Sequence, residues 1–255
     1  MRNQRTVKRM VVGVLGVLAM ASAGYVPLAH ATASTIIWGP STDVQPFKTW
    51  HLGSDIYVPT GRDAAGVRPA TVTDVGLTTG VLPFKNLNAE VGVDVKSGTG
   101  VDNSPVYFNT KVGIPENAYG AYFPALAVGI FDVGTDTHKT DFDVVYGKAA
   151  KTLSVGGLSL GRFSVGGFTG NKDLLTYNGK ASNDGLLLGW ERPLTEISDK
   201  WWVGVDYQGS KSTYGAMNFG VSYNFAPNTS VIFGYDIYNN KDLVDTYTIQ
   251  LDINF

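Results

Sequence analysis

The sequence predicts an all-β fold, a closed antiparallel up-and-down transmembrane β-barrel of about 12 strands. Three observations carry that expectation. Apolar and polar residues alternate with a period of two through most of the chain. The polar side of the alternation is Gly, Asn, Ser and Asp with few Lys, mixed with Tyr and Trp, which suits a tight wet interior better than an open surface. The connections between strands alternate between tight and long, as in a barrel with one short-turn end.

The bulk composition agrees. Gly (31 residues) and aromatics (12%) are abundant, as a strand-rich chain with many turns requires. Past the N-terminus no apolar run approaches the ~18 residues of a membrane-spanning helix. The chain has no Cys, which excludes disulfide, zinc-thiolate and thiol chemistry.

The N-terminus reads as a secretory signal peptide over residues 1–31. It has a basic start, "MRNQRTVKRM", then the apolar stretch "VVGVLGVLAMASAG" and a small-x-small cleavage signal, "AHA", at 29–31. Its removal takes four of the 20 basic residues and no acid, leaving 16 against 22 and a net charge of −6. An acidic mature chain makes a nucleic-acid partner unexpected. Residues 32–44, "TASTIIWGPSTDV", form a lead-in whose role is open among a periplasmic segment, an extra strand and a small lumen insert.

The barrel itself is expected over 45–255, with strands near 45–59, 70–83, 87–97, 104–114, 119–133, 139–150, 155–170, 183–197, 200–209, 213–225, 228–239 and 243–255. The last, "YTIQLDINF", sets Tyr247, Ile249, Leu251, Ile253 and Phe255 against Thr248, Gln250, Asp252 and Asn254. "WWVGVDYQG" sets Trp201, Val203, Val205 and Tyr207 against Trp202, Gly204, Asp206 and Gln208. "LNAEVGVDVK" sets Val91, Val93 and Val95 against Glu90, Gly92, Asp94 and Lys96. Pro124 and Pro193 each remove a ladder donor, so bulges are expected there, and the parity slips around 161–163. The tight connections are "PFKN", "PENA", "KTLS", "SD" and "AP"; the longest of the others is 171–183.

Aromatics fall at the strand ends. Trp201, Phe225 and Phe255 belong to one rim, and Tyr207, Tyr235 and Tyr247 to the other. Eight residue steps separate Tyr247 from Phe255; at ~3.3 Å per residue and a tilt of about 40° they span roughly 20 Å, close to the ~25 Å apolar band of such barrels.

With its cleavable signal, even-numbered alternating strands, no Cys and a last strand "YTIQLDINF" ending in Phe, the chain resembles bacterial outer-membrane β-barrel proteins. By size it is similar to twelve-stranded solute channels, with no motif that fixes a subfamily. The resemblance implies a Gram-negative outer-membrane location with both termini periplasmic. It also implies lipid and lipopolysaccharide around the barrel, and a terminal aromatic strand read by the barrel-assembly machinery.

The candidate functional residues are the charges on the inner face. Asp55, Asp74, Glu90, Asp94, Asp141, Asp143, Glu191, Asp206, Asp236 and Asp252 are assigned inward with Lys96 and Lys111, joined by Arg162 and His51. Two readings are open: a cation-favouring aqueous passage, or charges paired across strands that brace a closed interior. The expected function is passive diffusion of small hydrophilic, neutral or cationic solutes, with loop 171–183 as a candidate gate. A plugged structural or adhesive barrel is the alternative, and an outer-membrane hydrolase a weaker one. "GLSLG" at 157–161 matches a nucleophile pattern but no helix signal follows it. His138, near Asp132, Asp136 and Asp141, could join a rim site, though a solvated loop His is commoner. No enzyme activity, cofactor or metal is expected.

Overall fold

Alternation makes strands whose two faces differ, and the bilayer then requires every backbone N–H and C=O to find a partner. Twelve strands meet that requirement by closing into a ring. The computed structural model describes residues 34–255; the expected signal peptide, 1–31, and the first two residues of the lead-in lie outside the described residues. The barrel strands are β1 (Trp50–Pro59), β2 (Val72–Gly80), β3 (Asn88–Ser97), β4 (Val106–Ile114), β5 (Ala125–Gly134), β6 (Asp141–Val155) and β7 (Leu158–Thr169), followed by β10 (Asp184–Pro193), β11 (Trp201–Gln208), β12 (Ala216–Ala226), β13 (Thr229–Tyr238) and β14 (Thr246–Asn254). Between β7 and β10 the long loop carries a hairpin of its own, β8 (Thr176–Tyr177) and β9 (Lys180–Ala181). Each barrel strand pairs antiparallel with its neighbours, and β1 closes the ring on β14 through nine register pairs from His51↔Asn254 to Pro59↔Thr246. Two further backbone bonds, Trp50 N–H to Phe255 O at 2.7 Å and Phe255 N–H to Trp50 O at 2.9 Å, finish the seam.

The structure moves some boundaries. Pro124 creates no bulge; it stands just before β5, and residues 115–124 form a longer turn than "PENA" alone. Pro193 is the last residue of β10 and likewise interrupts nothing. The "KTLS" stretch is strand, not turn, because Gly156 and Gly157 supply the positive φ values (59° and 84°) that a two-residue connection needs. The expected slip near 161 coincides with a register shift between β6 and β7, where Gly161 has φ 97°. Ser159 lies on β7, so "GLSLG" is turn and strand with no elbow into a helix.

The outer face is apolar. On β14, Tyr247, Ile249 and Leu251 are exposed, while Thr246, Thr248, Gln250 and Asp252 are buried. The same pattern runs along β12, where Met217, Phe219 and Val221 are exposed and Asn218, Gly220 and Ser222 buried. A barrel with its apolar residues outside and its polar residues inside is the inverse of a soluble one, and the outer surface suits lipid. Trp201, Phe225 and Phe255 are exposed at the short-turn end; Tyr247 is exposed at the other, stacked at 5.2 Å on Tyr235.

Residues 34–48 are a lumen insert. The chain makes a tight turn at 36–39, with Ile36 N–H donating to Gly39 O at 2.9 Å and Thr35 bridging Pro40. Its tip reaches the long-loop end of the barrel, where Trp38 packs on Tyr57 (5.2 Å) and Tyr238 (5.6 Å). The chain then returns to the short-turn end and enters β1 after Phe47 bridges Gly80. The wall is relieved to admit it: a Cβ on Gly220 would stand 2.2 Å from Ile37 Cδ1, and one on Gly189 would stand 2.5 Å from Ile36 Cδ1. Ile36 and Ile37 join Trp202 and Ile232 in one buried apolar cluster, each fully buried aliphatic side chain contributing about 1.5–3 kcal/mol.

The outward assignment has a direct test. Ile249→Arg, mid-strand on β14, should lower folding stability in lipid vesicles by roughly 2–4 kcal/mol, read from urea titrations of vesicle-embedded protein. A loss near zero would mean that this face does not meet lipid.

Candidate functional site

The lumen is divided. Under β6, β7, β10 and the loop before β12, Val144, Tyr146, Phe168, Leu175, Leu187 and Tyr214 form a dry cluster, with Phe131 and Phe142 packed against it. Leu175 comes from the loop considered as a gate; it is fully buried, so that loop is tied into the barrel mouth. The insert fills the centre. What stays open is a cavity of about 520 Å³ along β1 to β5, running from the rim at Pro59, Ala70 and Val101 down to His51, Glu90 and Lys111. Near its lower limit, Ser41, Thr42 and Gln45 of the insert are buried.

Of the inward charges named from sequence, Asp55, Asp74, Glu90, Asp94, Lys96, Lys111 and Asp252 line this cavity, with His51. Asp206 and Asp236 point inward but are buried behind the insert. Asp206 accepts from Ile37 N–H at 2.7 Å, Trp38 N–H at 3.0 Å and Asn218 Nδ2 at 2.6 Å. Asp236 accepts from Thr246 Oγ1 at 2.7 Å. Glu191 and Arg162 form an ion pair at 3.6 Å beside the insert, and Arg162 also holds Asp43 at 2.6 Å and donates to Thr42 Oγ1.

Asp141 and Asp143 are a correction. They do not line the cavity; Phe142 and Tyr146 of the same strand do, and Val144 and Lys148 are buried. A register shift between β5 and β6 at Phe131/Val133, with positive φ at Asp132 (54°) and Asp143 (48°), sets the parity. The sequence did contain a signal. Putting Asp141 and Asp143 inside would put Lys148 toward lipid, at a cost of about 2–4 kcal/mol near the midplane. Inside, Lys148 donates to Pro40 O at 2.8 Å.

Sequence reasoning also missed Asp132 as a lumen residue, and it left the insert as one of three readings of the lead-in. Asp132 sits on the bulge, where Lys96 Nζ reaches it at 2.6 Å and the Tyr214 hydroxyl donates to it. The two ends of the insert are held at Glu90: Ser34 Oγ donates to it at 3.0 Å and Gln45 N–H at 2.6 Å, while Lys111 stands 3.2 Å away. Gln250 Nε2 donates to Ile37 O at 2.8 Å. Lys111–Glu90 and Lys96–Asp132 brace the wall, yet the cavity lining keeps six carboxylates (Asp55, Asp74, Glu90, Asp94, Asp132, Asp252) against two lysines.

His138 lies in loop 135–140 and does not line the cavity. Among the described residues, no group of three or more His, Cys, Asp or Glu is arranged to hold a metal ion.

The aromatics named as girdle residues are placed at the two rims. Trp201 stacks on Tyr223 at 4.8 Å, and Tyr223 meets Phe225 edge-on at 5.0 Å. Tyr207 is paired across the ladder with Met217 and Leu188, both exposed on the outer face.

No protein-family model matches the chain, and no curated protein sequence does. Among solved structures it is similar to an outer membrane channel from Pseudomonas putida F1, at 10% identity over 92% of this chain and 100% of that one, TM-score 0.45. It is also similar to the KdgM porin, at 9% identity over 81% of this chain and 99% of that one, TM-score 0.47. A third is the Acinetobacter baumannii outer membrane protein Omp33, at 12% identity over 81% and 97%, TM-score 0.41.

Anchoring of the insert tip can be measured. Asp206→Ala removes a charged acceptor from two backbone N–H groups, at about 1.5–3 kcal/mol per bond. The amides of Ile37 and Trp38 should then exchange with deuterium at least tenfold faster than in the parent protein. Unchanged protection would show that the tip is held by packing alone.

Proposed function

We propose that the chain is an outer-membrane channel for passive diffusion of small hydrophilic solutes, with a preference for cations. The observation that carries this reading is the combination of an apolar exterior with an open lumen sector walled by carboxylates. The same reading takes Asp55, Asp74, Asp94 and Asp252 as selectivity residues, with Lys96 and Lys111 as braces rather than anion sites. Asp206 and Asp236 then act through the insert and the wall. Trp201, Phe225 and Phe255 sit at the periplasmic interface, and Tyr207, Tyr235 and Tyr247 at the outer one. Both ends of the barrel chain are then periplasmic, lipopolysaccharide meets the long-loop end, and the assembly machinery reads the strand that ends at Phe255.

A second reading has a specific observation in its favour. The insert and the Leu175 cluster together occupy much of the lumen, as a plugged structural barrel would require. Conductance separates the two. The protein reconstituted in a planar bilayer should give small, steady, cation-favouring steps, and deletion of 34–45 should raise the step size several-fold. Asp94→Asn should weaken the cation preference without closing the channel. A silent bilayer containing folded protein, with current appearing only after the deletion, would favour the plugged barrel.

A further inference from the structure

The deepest acidic part of the cavity has a built shape. Strand register places Gly53 of β1 opposite Gly76 of β2, with Asp252 of β14 beside Gly53 and Asp94 of β3 beside Gly76. One rung toward the long-loop end, Asp55 faces Asp74 across the same two strands. Side chains at 53, 55, 74, 76, 94 and 252 all point inward, so two bare glycines form a floor ringed by four carboxylates. The Asp94 carboxylate leans over that floor, since a Cβ on Gly76 would stand 2.4 Å from its Oδ1. Over Gly53 the nearest atom to such a Cβ is His51 Nε2, at 3.4 Å.

The carboxylates of this ring are under-supplied with cations. Lys96 is drawn to Asp132 at 2.6 Å and reaches Asp74 only at 3.5 Å, and Lys111 is held at Glu90. Asp94 accepts from Asn109 Nδ2 at 2.8 Å, and Asp55 receives only a long Tyr57 hydroxyl contact at 3.4 Å. Asp252 gives an independent sign of a missing partner. It is 1% exposed and lines the cavity; its Oδ2 takes a long Ser230 hydroxyl contact at 3.4 Å, while its Oδ1 accepts no hydrogen bond from the described residues and His51 Nε2 stands 3.5 Å away. A buried carboxylate oxygen left without a donor is costly, and a cation entering the hollow would supply one.

Two further features point to the class of cation. A cavity of about 520 Å³ is the size of a small-molecule site. Four residues along the same inward face from Gly53 stands Tyr57, and Trp38 packs on it and on Tyr238. That is a span of ~13 Å from floor to rings, enough for an ammonium head and a short body. Aromatic rings of this kind favour an apolar or aromatic body packed against them.

We propose that the hollow over Gly53 and Gly76 binds the ammonium head of a small organic monocation, whose apolar body lies against Trp38, Tyr57 and Tyr238. The proposal rests on the channel reading for the route by which the cation arrives, and it makes the lumen selective for organic amines over neutral solutes of equal size.

The test uses the full mature protein with phenethylammonium as probe and 2-phenylethanol as its neutral match. Calorimetric titration should show saturable binding of the amine alone. Asp55→Asn combined with Asp94→Asn should weaken it tenfold or more. Gly53→Leu, which fills the floor without altering charge, should abolish it, and it keeps the test informative where the double variant fails to fold. Equal binding of both probes, or binding untouched by Gly53→Leu, would overturn the site while leaving the channel reading to its conductance. Binding as expected in a protein that passes no current supports the site and removes the channel reading.

Discussion

The Asp206 carboxylate, 1% exposed, accepts hydrogen bonds from Ile37 and Trp38 N–H, groups 169 and 168 residues away in sequence. That interaction ties the insert to the wall, and much of the lumen follows from it. A carboxylate this deep is tolerable only with several donors, and the insert supplies two of its three. The dependence runs both ways. Carbonyls of the insert would be stranded inside the barrel without Lys148, Gln250 and Lys111, which donate to Pro40, Ile37 and Ser34. Wall and insert therefore specify each other's polar groups.

This mutual dependence explains why the lumen is asymmetric. The insert lies against β10 to β13, where Gly189 and Gly220 give it room and Trp202 and Ile232 give it apolar cover. The opposite wall, β14 and β1 to β3, carries the cavity and the acids Asp55, Asp74, Asp94 and Asp252, while its Glu90 holds the two ends of the insert. An inner surface built in this way separates two tasks. One side holds the chain in place through buried hydrogen bonds, and the other lines the open cavity with carboxyl groups. Charges in a narrow, low-dielectric passage act on an ion more strongly than the same charges in open water.

The outer surface obeys a simpler constraint. Lipid offers no hydrogen bonds, so the ladder must close, and the pair Trp50 and Phe255 completes it at the seam between first and last strand. Outward side chains are free to be apolar.

Strand number, the inside–outside sorting of most strands and the aromatic rims were legible in the sequence, because a period of two is a local property that each strand states for itself. Two things were not. The inward face of β6 was misread at Asp141 and Asp143, since a bulge shifts parity through backbone φ at Asp132 and Asp143, and Lys148 further along the strand is the mark alternation leaves of it. The lead-in was left open because its partners, Glu90, Arg162, Asp206 and Gln250, lie on four different strands and face it only once the barrel is closed. The sequence by itself determined the wall, through periodicity. Only the tertiary structure decided what fills it, because that depends on non-local hydrogen bonds and on where glycines leave space.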